Sequence, residues 1–127
     1  MIGTVLLVST LLFAFAAAFC DTQGKTRQAA VAAYLAGIAA IGAAATLFVA
    51  ILGDDFSVAY VISYSSIDLP LLYKFSAFWA GQQGSFLLWL VIHACVGILL
   101  VRSGRMTAAG RSIYHLLTAM LTVLVLI

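Results

Sequence analysis

Four stretches of the chain run without an acidic or a lysine/arginine side chain: from Ile2 to Cys20, from Ala29 to Leu52, from about Ser85 to Val101, and from Ile113 to the last residue. A helix crosses the apolar core of a bilayer in about 20 apolar residues. With 65% hydrophobic and 8% charged residues, the chain cannot clothe a water-facing surface in polar groups. The expected fold is all-α: a polytopic helical membrane protein with about four transmembrane helices, near 2–20, 29–52, 82–101 and 113–127. The fourth run is short. Its 15 residues would rise roughly 22 Å against a core of roughly 30 Å.

Charge sets the expected topology. No lysine or arginine precedes Lys25, so the first run lacks the basic start of a cleaved signal and is expected to be a retained helix. The linkers 21–28 and 102–112 carry Lys25, Arg27, Arg102, Arg105 and Arg111, whereas 53–81 carries Lys74 against Asp54, Asp55 and Asp68. The positive-inside rule then puts both short linkers in the cytoplasm, and the N-terminus and 53–81 outside. A net charge of +2 is too small for nucleic-acid binding. Cys20 and Cys95 form no CxxC or CxxCH, which excludes a thioredoxin-like reductant and a chain that is itself a c-type cytochrome.

The second run carries Ala32, Ala36, Ala40 and Ala44 on one i,i+4 stripe, with Ala29, Ala33 and Gly37 on another. Small residues at that spacing let helices pack closely. This helix reads as one surrounded by protein, and the chain as the N-terminal portion of a larger bundle.

The segment 53–85 holds most of the information. Phe56, Val58, Tyr60, Ile62 and Tyr64 alternate with smaller residues, which favours an extended piece. Phe56, Tyr60 and Tyr64 also stand four apart, which would suit a short helix. Pro70 breaks regular structure, and 71–79 reads as an amphipathic stretch along the membrane surface. Gln82 and Gln83 lie between Gly81 and Gly84, with Trp79 before and Trp89 after. Their amides are expected to find partners, the glycines to admit a close backbone, and the Trp89 indole to need a packed site.

Residues 56–89 resemble the CcmF/NrfE family of cytochrome c-type biogenesis proteins. The resemblance rests on FSVAYV (56–61), Ser65 with Leu69-Pro70, Tyr73-Lys74, FSAFW (75–79), and Gly84-Ser85 leading into LLW (87–89). It implies a haem lyase component of the bacterial inner membrane, with 53–81 in the periplasm. Its partners would be membrane lipid, other maturation subunits including a haem chaperone, and apocytochrome c. The cofactor would be haem, joined to CxxCH thiols. Family members often carry a histidine–glutamate pair where Gln82-Gln83 stands. The family's tryptophan-rich motif and histidine ligands lie beyond this chain.

Trp79, Gln82, Gln83 and Trp89 are therefore the candidate contacts for haem, apocytochrome or a partner. No nucleophile–base pair, metal cluster or phosphate loop is evident. His93 shares a helix face with Trp89 and is a weak candidate as a haem ligand; a hydrogen bond to a neighbouring helix is the expected role, and His115 is expected at an interface. The competing function is a small subunit of a transporter or membrane redox complex, with a polar path through Gln82, Gln83 and His93. A third is a purely structural assembly subunit. Ion paths use charges inside spans, and here all four aspartates are expected in linkers, with no lysine or arginine in a span.

Overall fold

The computed structural model describes residues 2–127. Among them lie six helices and no strand: α1 (Ile2–Thr22), α2 (Thr26–Leu52), α3 (Ala59–Tyr64), α4 (Leu71–Ala77), α5 (Gln82–Ser103) and α6 (Ala108–Leu126). Helices α1, α2, α5 and α6 are each long and apolar enough to cross a membrane. The chain is a polytopic helical membrane protein.

The four spans close into a ring in which α1 packs on α2 and α6, and α5 packs on α2 and α6. Every neighbour is antiparallel, as short turns between consecutive helices require. The alanine stripes explain the centre. Ala32, Ala36, Ala40 and Ala44 are all buried, as are Ala39 and Ala43. Leu6 of α1 lies close over Gly42, and Ile98 of α5 over Gly37. The outer faces are apolar, with Val5, Leu12, Phe15 and Phe19 of α1 and Trp89, Ile92, Val96 and Leu99 of α5 all exposed. A helix apolar inside and out suits lipid as its outer solvent.

The ends of the spans differ from the sequence expectation. Only Gln23–Lys25 separate α1 from α2, and only 104–107 separate α5 from α6. Asp21 and Arg111, expected in linkers, sit inside helices because each neutralises the other there. Thr107 caps α6, accepting a hydrogen bond from the Gly110 N–H at 3.1 Å. The fourth span thus gains a turn and reaches 19 residues, about 28 Å at 1.5 Å per residue, close to a full crossing.

Candidate functional site

At the end of the bundle away from the short turns, residues 53–81 fold into an ordered cap. The extended piece expected over 56–64 is instead the helix α3. A lone strand here would leave its backbone groups without a ladder partner, whereas the helix satisfies them internally. The i,i+4 spacing also puts Tyr60 and Tyr64 on one face, with ring centroids 4.6 Å apart.

That face explains the two glycines. Tyr60 is buried, and its hydroxyl accepts from the Gly81 N–H at 3.0 Å while donating towards the carbonyls of Phe78 (2.9 Å) and Ala77 (3.1 Å). Burial pushes the Tyr60 phenol above the usual tyrosine range, so it keeps the proton it donates. A β-carbon on Gly84 would run into the Phe78 carbonyl and the Tyr60 hydroxyl; one on Gly81 would run into both tyrosine rings. The close approach is thus made by a side chain and a loop carbonyl together. Gly81 and Gly84 turn inward, one turn apart, and Gln82 and Gln83 are left exposed between them.

Helix α4 is amphipathic with its polarity reversed. Lys74 and Ala77 point inward, while Leu71, Leu72, Tyr73 and Phe75 are exposed. Lys74 Nζ pairs with Asp54 Oδ2 just after α2. Phe75 and Phe78 pack their rings on Phe48 of α2 at 5.1 and 5.9 Å. Asp55 Oδ1 accepts from the Ser57 hydroxyl (2.6 Å) and the Ser57 N–H (3.1 Å), which hold its carboxyl below the usual range. Helix α2 rises about 40 Å over its 27 residues, longer than a core of roughly 30 Å. The cap packs beside the end of α2 through Phe48 and Asp54.

The candidate contacts fall on this end of the molecule. Trp79 is 48% exposed in the turn before α5, where its carbonyl accepts from the Ser85 hydroxyl at 2.9 Å. Gln82 and Gln83 open α5 and face outward. Trp89 lies seven residues beyond Gln82, hence on the same face, and is 67% exposed. The packed site expected for its indole is not formed by this chain's own helices. The partners expected for the two amides are likewise not supplied from within the described residues.

His93 does bond to a neighbouring helix. Its Nε2 lies 3.0 Å from Thr118 Oγ1 of α6, and its ring stacks on Tyr114 at 4.0 Å and 4°. The Tyr114 hydroxyl donates to the His93 carbonyl. Cap residues 53–81 contain no histidine, methionine or cysteine, and His93 is already engaged. The exposed aromatics and amides of the cap suit contact with a docked protein. Among the described residues no group of three histidines, cysteines or acids could hold a metal ion.

A second polar cluster, at the opposite end, escaped the sequence reading. Asp21 of α1 has a fully buried side chain; Arg111 of α6 donates to its Oδ1 from Nε (2.9 Å) and pairs with it through the terminal nitrogen (2.8 Å). His115 Nε2 lies 3.4 Å from Asp21 Oδ2. The spacing of Arg111 and His115, four apart on one run, was the available signal. So charged residues lie within all four long helices, Asp21 in α1, Arg27 in α2, Arg102 in α5 and Arg111 in α6, contrary to expectation.

Comparison with known proteins points one way. A 43-residue stretch, 34% of this chain, is 58% identical to the cytochrome c-type biogenesis protein CcmF of Pseudomonas aeruginosa, covering 6% of that protein. A 60-residue stretch (47% of this chain) is 38% identical to CcmF of Escherichia coli, covering 9% of it. A 37-residue stretch (29% of this chain) is 46% identical to NrfE of Haemophilus influenzae, covering 6% of it. The chain thus matches less than a tenth of the length of these relatives. No family model matches the chain, and no solved structure matches it. Over these stretches the chain is similar to the CcmF and NrfE cytochrome c-type biogenesis proteins.

Proposed function

We propose that this protein takes part in c-type cytochrome maturation, as membrane scaffold and docking cap of a haem lyase. The observation that carries the reading is the 58% identity over 43 residues to a protein named for cytochrome c-type biogenesis. In this reading the basic turns 23–25 and 104–107 face the cytoplasm of a bacterial inner membrane, and the cap faces the periplasm. Exposed Trp79, Gln82, Gln83 and Trp89 then offer aromatic and amide contacts to a haem chaperone, another maturation subunit or apocytochrome c. In this reading the residues that ligate haem lie beyond this chain.

Deleting the gene in its host and staining membranes for covalently bound haem tests this. Loss of the c-type bands, restored by a plasmid copy, is expected; unchanged bands would reject the reading. The competing polar path finds less support. Gln82 and His93 are eleven residues apart, about 16 Å along α5, and every side chain from Phe86 to Ile92 between them is aliphatic or aromatic.

A further inference from the structure

We propose that Asp21, His115, Thr118 and His93 form a buried proton relay, bridged by one water, between the middle of the bundle and its turn end. Two buried atoms lack a hydrogen-bond partner and face one another across 3.4 Å: Asp21 Oδ2 and His115 Nε2. An unpaired buried polar atom costs roughly 1–3 kcal/mol, and a shared proton removes the cost from both. Arg111 occupies only Oδ1, leaving Oδ2 to the histidine.

Beyond His115 lies a cavity of about 20 Å³. A cavity of about 10–15 Å³ already admits one water where polar partners are present. Tyr114, His115 and Thr118 line it on one side, and Gly97 with the alanines and Gly37 of α2 close it on the other. Thr118 Oγ1 in turn lies 3.0 Å from His93 Nε2. One water there would complete the line of carboxylate, imidazole, water, hydroxyl and imidazole.

The titratable and charged groups around it are Asp21 from α1, Arg111 and Tyr114 from α6, and His93 with Cys95 beside Tyr114 from α5. Helix α2 presents only alanine and glycine to the cavity. Arg111, with an 18% exposed side chain, marks the end that meets water.

His93 Nε2 also meets the Tyr114 carbonyl at 3.4 Å, and a carbonyl only accepts, so this nitrogen carries the ring N–H. A proton arriving at the other nitrogen of His93 releases the Nε2 proton to Thr118 Oγ1 as the hydroxyl's own proton passes to the water. The water hands a proton to the free nitrogen of His115, and the His115 Nε2 proton passes to Asp21 Oδ2. Only O–H and N–H bonds form and break, and the positive charge that enters at His93 ends by neutralising the Asp21 carboxylate.

The test is nitrogen NMR of the histidine-labelled chain in phosphatidylcholine vesicles across a pH series. Coupled sites titrate as a pair. His115→Gln is expected to move the His93 titration curve, Thr118→Val to abolish that dependence, and Thr118→Ser to retain it. A His93 curve indifferent to His115→Gln would overturn the relay. Exchange into D2O on the unaltered chain gives a reading that needs no variant. His93 exchanging alongside His115 supports the relay; a protected His93 beside an exchanging His115 overturns it.

Discussion

Gly84 is the residue on which the cap turns. It sits where the Tyr60 hydroxyl and the Phe78 carbonyl converge on the first turn of α5. Gly84→Ala forces overpacking, which costs about 1–3 kcal/mol, and should lower the thermal midpoint of the chain in detergent. Tyr60→Phe removes a buried hydroxyl that serves one donor and two acceptors. It should cost about 1–3 kcal/mol, and the double variant should cost less than the sum, because both changes act on one contact. At the other end, Asp21→Asn leaves the Arg111 guanidinium without its anion. Breaking one partner of a buried pair costs about 3–5 kcal/mol; with Arg111 18% exposed, the low end of that range is expected in the same melting assay.

Among the elements, α4 depends most on a single tie. It has under two turns, and Lys74 is its inward charge. Lys74→Ala should free α4 from Asp54, raising amide hydrogen exchange over 71–77 while α2 and α5 stay protected. An unchanged exchange pattern would show that Phe48 alone holds the helix. The spans were legible in the sequence because apolar runs this long have only one fate in a bilayer. The boundaries were not. Asp21 and Arg111 read as linker charges, and only the pairing of α1 with α6 makes them helical. Helix α3 was hidden for a related reason. Its alternating pattern fits a strand as well as a helix, and the deciding contact, with Gly81 and Gly84, lies some twenty residues away. Around Gln82 and Gln83, the glycine neighbours rather than the amides do the packing.

At the scale of the whole molecule, an antiparallel four-helix ring separates two unlike ends. One carries the basic turns and the Asp21–Arg111–His115 cluster; the other carries an aromatic cap with outward amides. The proposed role in cytochrome maturation requires that cap to meet proteins outside the cytoplasm. Cysteine labelling in intact cells measures this directly, in a Cys20→Ala, Cys95→Ala background. Asp68→Cys should react with a membrane-impermeant maleimide before lysis, and Arg105→Cys only after permeabilisation. The reverse pattern, with position 105 labelled in intact cells and position 68 protected, would contradict the account.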